Sequence, residues 1–340
     1  MRGSYSTYMT ESLLPNYDQL TPDLVISAVE SLGYLSDARV FPLNSYENRV
    51  YQVGIDEETP VIAKFYRPLR WSDDQILEEH RFSEMLYRLE LPVIAPIAAP
   101  LNDETLHRFG GYRFSLFKRQ GGQAPEPGDF DQLHWLGRLI GRIHQAGKAE
   151  AFTYRPKIDI QSYCTQPAQD LIEHEFIPTY QRDQFQSIIR ELTTHCTELF
   201  ESTDKLTFIR SHSDCHVGNI LWNRDTGPWF VDFDDCRMAP AMQDLWMLLA
   251  GDRPSQVAQL SEILDGYEEF CEFNYSEIQL IEALRSLRMI HYAGWLAMRW
   301  NDPAFPRAFP WFNTANYWPQ LLAELQEQVL VMREEPLRLF

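Results

Sequence analysis

Three polar side chains in the second half of the chain have types and spacing suited to phosphoryl transfer. Asp214 and Asn219 follow His212 in the pattern H-x-D-x-x-x-x-N, and Asp232 comes thirteen residues after Asn219 in the segment VDFDD. Phosphoryl transfer needs a carboxylate beside the attacking hydroxyl and oxygen ligands that hold Mg²⁺ against the phosphates. Asp214 suits the first task. The amide oxygen of Asn219 and the carboxylate of Asp232 are hard ligands of the kind that Mg²⁺ accepts.

The histidines and the cysteine near this motif are expected to have supporting roles. His212 lies two residues before Asp214, and we expect it to brace the loop rather than to act as the base. Cys215 and His216 lack other metal ligands at suitable spacing, so local packing is expected for both. His144 lies four residues after Ile140 on the apolar face of a predicted helix and is expected to be a core histidine.

Lys64 is a further candidate, because it lies in the middle of the apolar segment VIAKFY. A buried ammonium needs an anionic partner, since an unpaired buried charge is costly. Phosphate oxygens and a glutamate both meet this need. Glu78 and Glu79 in the next predicted helix are the candidate glutamates, and periodicity alone favours Glu78. The alternative is a lysine that extends outward from an edge strand.

The segment NSYEN at 44–48 precedes the first predicted strand, where a loop that covers phosphates would be expected. It contains no G-x-G-x-x-G, so backbone amides and the Ser45 hydroxyl would have to contact the phosphates. A plain turn that opens the strand is the alternative interpretation.

The elements around these residues follow from local patterns. Residues 46–55 and 61–66 are β-branched and aromatic with a polar turn between them, which predicts a hairpin. Ser72 and Gln75 have capping-box spacing and predict a helix that ends near Leu91. Prolines then exclude a regular helix, and a further hairpin is expected with its turn at Gly110-Gly111.

A Gly- and Pro-rich segment at 121–129 is the predicted boundary between two lobes. We expect an α+β protein with a smaller, mainly β N-terminal lobe at 1–120 and a larger, mainly helical lobe at 121–340. Two strands at 219–223 and 228–233 are predicted to form a hairpin that brings Asn219 and Asp232 toward one metal. The remaining expectations are an N-terminal extension at about 1–20 and apolar helices at about 240–250, 255–272 and 276–300.

Composition limits the classes of partner. The 340 residues carry 49 acidic and 30 basic side chains, a formal net charge of −19, which disfavours nucleic acid and anionic membranes. The five cysteines are an odd number without a C-x-x-C pair, so neither a disulfide framework nor a zinc site is indicated. The N-terminal residues lack the apolar core of a signal peptide, and a cytoplasmic protein is expected.

The motifs HSDCHVGNIL and VDFDD resemble those of the aminoglycoside and choline kinase-like branch of the protein kinase superfold. Within that branch the chain is similar to bacterial stress-response kinases over roughly residues 40–315. The segments that carry this resemblance are PLNSYENRVYQ, AKFYRPLRW, DQILEEH, DCHVGNILW, QDLWMLL and NDPAFPRAFPW.

This resemblance implies a bilobal kinase fold with ATP as donor, Mg²⁺ as cofactor and protein serine or threonine as acceptor. It also implies a monomeric cytoplasmic enzyme that acts in stress protection. The spacing to Leu86 favours Glu79 over Glu78 as the partner of Lys64, and Ser45 matches a position associated with ATP.

One residue departs from the family pattern, because Ser213 replaces the usual glycine between the motif histidine and aspartate. Serine is tolerated there if its φ is negative and is strained if φ is positive. Only a short stretch separates Asp232 from Asp244 and there is no A-P-E segment, so a long phosphorylatable activation loop is not expected.

Two rival functions remain open on sequence grounds. The first keeps the chemistry and replaces the protein acceptor with a small hydroxylated metabolite, because short activation segments also suit small-molecule kinases. The second is a nucleotide-binding pseudokinase scaffold, suggested by Ser213 and the missing glycine-rich loop. The joint presence of Lys64, Asp214, Asn219 and Asp232 argues against the scaffold, since a pure binder has little need for a base.

Overall fold

The computed structural model describes residues 17–339, so most of the predicted N-terminal extension lies outside the described residues. The described chain divides into two compact units. The first unit contains the residues up to Gln123 together with Leu221–Asp234, and the second contains Ala124–Ile220 and the residues from Asp235 onward. The segment Leu221–Asp234 therefore groups with the first unit, a feature that a single predicted boundary near residue 120 does not contain.

The first unit is built on an antiparallel six-stranded sheet with strand order β1-β2-β3-β6-β4, in which β5 also pairs with β6. The strands are β1 (Ser36–Pro42), β2 (Arg49–Ile55), β3 (Val61–Phe65), β4 (Pro96–Ile97), β5 (His107–Phe109) and β6 (Tyr112–Lys118). The hairpins predicted around 56–60 and at Gly110-Gly111 are confirmed. One core packs against this sheet and includes Val53, Phe65 and Phe114.

Among the described residues of the first unit, two segments form α-helices, α1 (Pro22–Glu30) and α2 (Asp73–Arg88). The predicted capping box is confirmed, because Gln75 N donates to Ser72 Oγ at 3.2 Å and Ser72 N donates to the Gln75 side chain at 2.9 Å. Ile76, Phe82 and Leu86 are buried on the inner face of α2. Glu79 lies on that buried side as well, which places a carboxylate inside the unit.

Strand β1 was not predicted from the sequence. It lies at the sheet edge with mostly exposed side chains, and its register shifts between Ser36 and Val40. Ala38 within that irregular stretch has a φ of +65°. A strand with an exposed face and an irregularity lacks the apolar alternation by which strands are recognised.

The second unit is mainly helical, which together with the sheet of the first unit confirms the α+β class. Its helices are α3 (Phe130–Gly147), α4 (Gln166–Glu173), α5 (Arg182–Ser202), α6 (Met242–Leu245), α7 (Arg253–Tyr267), α8 (Ile281–Met298), α9 (Ala304–Ala308) and α10 (Tyr317–Val331). Helices α3 and α7 pack so closely that a Cβ at Gly137 or Gly141 would overlap a carbonyl oxygen of α7. No helix among residues 17–339 is long and apolar enough to cross a lipid bilayer.

Two short strand pairs border the motif segment. Strand β7 (Ile209–Ser211) pairs with β10 (Arg237–Ala239), and β8 (Ile220–Asn223) pairs with β9 (Gly227–Phe230). The second pair confirms the hairpin predicted from strands at 219–223 and 228–233, but β9 ends at Phe230, so Asp232 lies beyond the strand and Asn219 lies in the 3₁₀ turn before β8.

The continuous helix predicted at about 240–250 is wrong. The chain forms only the one-turn helix α6 and a 3₁₀ turn at Trp246–Leu248. Gly251 then takes a φ of +82°, and Asp252 caps the next helix, so the apolar run is broken by local turn chemistry.

Candidate active site

Lys64 of β3 lies at the centre of an ionic cluster in the first unit. Its Nζ is 2.9 Å from Asp232 Oδ1, 3.2 Å from Asp234 Oδ1 and 4.0 Å from Glu79 Oε1. Lys64, Glu79 and Asp234 are buried, whereas the Asp232 side chain is 52% exposed. The ammonium is therefore held from inside by two buried carboxylates and faces one that reaches solvent. We call these four residues the Lys64 cluster.

The cluster keeps the ammonium charged. Burial is the largest single influence and lowers the pKa of Lys64, but Asp232, Asp234 and Glu79 together outweigh it. The pKa of Lys64 therefore lies well above its usual range. Such an ammonium is suited to pairing with phosphate oxygens.

Asp234 is a member of this cluster that is not among the predicted site residues. Its Oδ2 accepts a hydrogen bond from Asn48 Nδ2 at 3.1 Å and pairs with Arg70. The Ser45 hydroxyl donates to the carbonyl of Asn48 at 3.0 Å and so closes the turn that carries Asn48. The segment VDFDD contains this carboxylate, so the excess of aspartates there was a signal that could have identified it.

The backbone at Asp232 is unusual, because its φ is +61°. Non-glycine residues rarely adopt this left-handed conformation, and aspartate tolerates it better than most. Asp232 lies between β9 and the 3₁₀ turn Phe233–Asp235. Strained positions of this kind cluster at functional sites.

A buried carboxylate, that of Asp244, binds the backbone of the motif loop in the second unit. The N–H groups of His212 and Ser213 donate to the two oxygens of Asp244 at 2.9 and 2.7 Å. The ring of His144 also hydrogen-bonds to Asp244 at 3.0 Å, and its other nitrogen is 3.0 Å from the Tyr267 hydroxyl. His144 is therefore a core histidine as expected, and its ring helps to fix the carboxylate.

His212 and Asn219 hold the backbone and side chain of Asp214. The N–H of Asp214 donates to His212 Nδ1 at 3.3 Å. Asn219 Nδ2 donates to the Asp214 carbonyl at 2.9 Å and to Asp214 Oδ2 at 3.2 Å. Both bonds use the side-chain nitrogen of Asn219, so its side-chain oxygen takes part in neither of them. His212 is positioned to brace the loop, and Asn219 retains an oxygen that suits a divalent cation.

The carboxylate of Asp214 has two further partners. Arg288 Nη1 of α8 donates to Asp214 Oδ1 at 2.5 Å. His216 accepts the Gly218 N–H at its Nδ1, which leaves the proton of a neutral ring on Nε2, 3.5 Å from Asp214 Oδ2. Packing alone was expected for His216, yet its ring lies against the candidate base.

These partners determine the charge of Asp214. Burial is the largest single influence and raises its pKa, but the hydrogen bond from His216 and the charge of Arg288 outweigh it. The pKa of Asp214 therefore lies below its usual range, and the side chain is an ionised carboxylate at neutral pH. It can accept a hydrogen bond from an incoming hydroxyl.

Ser213 takes the strained alternative that its sequence position left open. Its φ is +65°, a conformation that glycine adopts readily and serine does not. The backbone is held in this conformation by Asp244, which accepts the Ser213 N–H, and by Gln243, whose amide donates to the Ser213 carbonyl at 2.8 Å. The side-chain hydroxyls of Ser213 and Ser211 are hydrogen-bonded to each other at 2.8 Å.

Glu277 supports the segment that carries Asp244. It is 2% exposed, and its carboxylate accepts the N–H of Met242, the first residue of α6, at 3.0 Å. Burial raises the pKa of Glu277 to about 7, although bonds from the backbone of Met242 and Ala241 oppose the shift. No short motif contains Glu277 or Arg288, so sequence patterns gave no signal for them, whereas Asp244 lies in the segment QDLWMLL but had no predicted role.

The chain is similar to known kinases along most of its length. The model of the phosphotransferase enzyme family matches residues 40–281. Stress response kinase A of Escherichia coli (strain K12) is 44% identical over 327 residues, which cover 95% of this chain and 97% of that protein. The serine/threonine protein kinase RdoA of Salmonella typhimurium is 44% identical over 323 residues, with the same coverage.

Solved structures share the fold at low identity. An amicoumacin kinase, hAmiN, solved with AMP-PNP, Ca²⁺ and Ami, has a TM-score of 0.72 at 18% identity and covers 94% of this chain and 95% of its own. A microcompartment-associated aminopropanol kinase has a TM-score of 0.67 at 17% identity, covering 93% of this chain and 100% of its own. The kinase-like fold and the resemblance to stress-response kinases expected from the motifs are confirmed. The chain belongs to the phosphotransferase enzyme family, and it is an ATP-dependent kinase.

Proposed function

We propose that the protein transfers the γ-phosphoryl group of ATP to serine and threonine hydroxyls of protein substrates and acts in the response to stress. The high identity to relatives named as a stress response kinase and a serine/threonine protein kinase supports this acceptor class. A cytoplasmic location and a monomeric state are part of the proposal.

The observation that carries the proposal is the ionised carboxylate of Asp214 on a loop fixed by Asp244 and Asn219. In this role Asp214 orients the acceptor hydroxyl and takes its proton as the bond to phosphorus forms. A carboxylate with a lowered pKa is a weak base. This suffices because the transition state of phosphoryl transfer is loose and the hydroxyl gives up its proton late.

Asn219 and Asp232 would hold Mg²⁺, each through one side-chain oxygen. The residues present fit this ion, because one ligand is a neutral amide oxygen and the other a half-exposed carboxylate. When bound, the ion neutralises charge on the phosphate oxygens. Lys64 would contact phosphate oxygens as a fixed positive charge, with Glu79 and Asp234 holding it in place.

Ser45 stays a proposed contact to ATP. Its hydroxyl closes the turn at Asn48, so the geometry gives it a structural task in addition. Contact between this turn and phosphate would use backbone N–H groups beside the hydroxyl.

A test uses purified protein, labelled ATP, and two acceptor sets: heat-treated bacterial protein extract and a panel of small hydroxylated amines. The expected result is label on serine and threonine of proteins. Asp214→Asn is expected to lower this transfer by about 10²–10⁴-fold with ATP affinity retained, because only the proton acceptor is lost. Asp225→Asn, an exposed turn residue, is the matched control.

Three outcomes would change the assignment. Transfer only to small hydroxylated amines would replace the protein-kinase function with the small-molecule alternative. Equal transfer by Asp214→Asn and the parent would contradict the role of Asp214, and ATP binding without any transfer would support the scaffold. Asp232→Asn is expected to remove the Mg²⁺ dependence of ATP binding measured by calorimetry, and an unchanged dependence would contradict its role as a ligand.

A further inference from the structure

Tyr163 lies in a single π-helical turn, Gln161–Thr165, which directly precedes helix α4. Asp159 closes this turn, because its Oδ1 accepts the N–H of Ser162 at 2.7 Å and its carbonyl accepts the N–H of Tyr163 at 3.1 Å. Isolated π-helical turns occur frequently at functional sites. Local hydrogen bonds therefore fix the backbone from which the Tyr163 side chain extends.

The ring of Tyr163 packs against two elements that border the motif loop. It stacks on His291 of α8, with ring centroids 4.3 Å apart and ring planes 18° apart. Arg288, which is bonded to Asp214, lies three residues before His291, and residues three apart are neighbours on one helix face. The guanidinium of Arg237 in β10 lies over the ring, 5.2 Å from its centroid, and β10 pairs with the strand that precedes the motif loop. Tyr163 therefore lies on the side of the second unit that carries Asp214.

The hydroxyl of Tyr163 has no hydrogen-bond partner among the described residues, although a buried tyrosine hydroxyl usually finds one. Only 7% of the residue is exposed, but the hydroxyl oxygen is not among the fully enclosed polar atoms, so a ligand can reach it. Burial raises the pKa of Tyr163, and the hydroxyl therefore keeps its proton at neutral pH. The charges of Asp214 and Arg288 also act on this pKa, as expected for groups nearby. The hydroxyl is an available hydrogen-bond donor.

Arg288 has available donors as well. Its Nη1 donates to Asp214 Oδ1, which is the one hydrogen bond of this guanidinium within the described part of the chain. The side chain is 35% exposed. A guanidinium has several N–H donors and often makes two parallel bonds to a carboxylate. The single bond to Asp214 therefore leaves N–H groups of Arg288 for a ligand.

The charges that act most on Tyr163 form two opposite pairs. Arg288 pairs with Asp214, and Arg237 Nη2 lies 3.2 Å from Asp235 Oδ1. A further anion would meet two carboxylates, and a further cation would meet two guanidiniums. The available groups are O–H and N–H donors, so a neutral oxygen is the ligand that suits them. A carbonyl oxygen has two lone pairs and can accept from both donors.

We propose that the hydroxyl of Tyr163 and the N–H groups of Arg288 that Asp214 does not use bind the main-chain carbonyl oxygen of the acceptor serine or threonine. The proposal rests on the function proposed for Asp214, because that carboxylate receives the hydroxyl of the same acceptor residue. In serine and threonine only Cβ and Cα separate the hydroxyl from the carbonyl group, so one residue reaches both sites. An amino alcohol without this carbonyl would leave the Tyr163 hydroxyl unpaired. The subsite would thus favour peptides over simple amino alcohols.

The first experiment measures binding alone, by NMR shifts of the protein saturated with Mg²⁺ and a non-hydrolysable ATP analogue. The probes are N-acetyl-serine methylamide and N-acetylethanolamine, which keeps the hydroxyl but lacks the main-chain carbonyl. Tyr163→Phe removes only the hydroxyl, and it is expected to weaken binding of the serine probe about threefold to tenfold while binding of N-acetylethanolamine stays as in the parent. Tyr180→Phe, at a tyrosine that is 80% exposed, is the matched control and should change neither.

Unchanged binding of N-acetylethanolamine also shows that Tyr163→Phe keeps its fold. Equal weakening of both probes would overturn the proposal, because the hydroxyl would then not distinguish the carbonyl. Unweakened binding of the serine probe by Tyr163→Phe would overturn it, and so would a parent protein that does not bind the serine probe.

The second experiment measures turnover of a serine peptide. Tyr163→Phe is expected to raise KM for the peptide about threefold to tenfold, with kcat and KM for ATP unchanged, because the bond is made equally in the bound substrate and in the transition state. A merely structural role of Tyr163 would instead alter kcat or KM for ATP, and that result would contradict the subsite.

The two experiments separate this proposal from the proposed function. If Tyr163→Phe weakens only the serine probe but proteins and peptides are not phosphorylated, the carbonyl belongs to a small-molecule acceptor. The protein-kinase function then fails while the carbonyl subsite stands. If serine peptides are phosphorylated with the same KM by Tyr163→Phe and the parent, the function stands and the subsite fails.

Discussion

The two units fix their functional groups in opposite ways. In the first unit one ammonium, Lys64, lies within 4.0 Å of three carboxylates, so opposite charges determine where side chains are held. In the second unit one carboxylate, Asp244, accepts two consecutive backbone N–H groups, so an anion holds the main chain rather than a side chain. The first arrangement shares one cation among three anions, and the second places two main-chain bonds on one anion.

The largest expected effect concerns that anion. Asp244→Ala leaves two buried N–H groups and the ring of His144 without their acceptor, and we expect a loss of roughly 3–5 kcal/mol in the free energy of unfolding. Asp234→Ala is expected to cost less, roughly 1–3 kcal/mol, because Lys64 keeps Asp232 and Glu79. Urea denaturation measures both. Hydrogen exchange over residues 205–220 should increase only in Asp244→Ala, and an equal or larger loss in Asp234→Ala would contradict the comparison.

The next largest effect is a difference between the units in how their stability depends on pH. The pKa of Glu277 rises from 4.5 to about 7 on folding, so the folded state holds an extra proton between these values. Stability is therefore expected to fall by roughly 3 kcal/mol as pH rises through that window. Lys64 behaves differently, because its pKa is raised above 10.5 in the folded protein, so its contribution to stability does not change with pH below that value.

Urea midpoints from pH 5 to pH 8 test this expectation. Glu277→Gln should flatten the dependence, since a neutral amide has no proton to lose, whereas the exposed Glu272→Gln should leave it as in the parent. A Glu277→Gln protein with the slope of the parent would show that another group titrates.

The smallest effect concerns the main chain itself. Ser213→Gly and Ser213→Ala both remove the hydroxyl bonded to Ser211, so their difference reports the cost of a φ of +65°. We expect the glycine variant to be more stable by about 1 kcal/mol. At Ser187, an exposed position inside α5, alanine should instead be more stable than glycine by about 1 kcal/mol. If alanine were more stable than glycine at position 213 as well as at position 187, backbone strain at Ser213 would be contradicted.

Sequence patterns predicted the features that depend on neighbours in the chain. The capping box of Ser72 and Gln75 and the hairpin at Gly110-Gly111 are local, and so they could be recognised without a fold. The grouping of Asp214 with Asn219 is local as well, since a bond spans only five residues.

The remaining features depend on tertiary contacts. Arg288 reaches Asp214 across 74 residues, and Asp244 reaches Ser213 across 31, and no short pattern contains either pair. The serine side chain does not predict the positive φ of Ser213, because serine has no preference for that conformation, and the glycine usual at this position left both signs of φ open. Hydrogen bonds to Asp244 and Gln243, which are distant in sequence, hold the backbone there.

The discontinuity of the first unit has a consequence for the order of synthesis. Lys64 is 168 residues before Asp232, and both Asp232 and Asp234 belong to the segment Leu221–Asp234. A ribosome therefore produces the whole antiparallel sheet long before the lysine within it acquires two of its three counterions. A truncated chain that ends at Gln123 would contain a buried ammonium with Glu79 as its only partner from the cluster. The first unit consequently cannot be expressed as one uninterrupted segment with its charge balance intact.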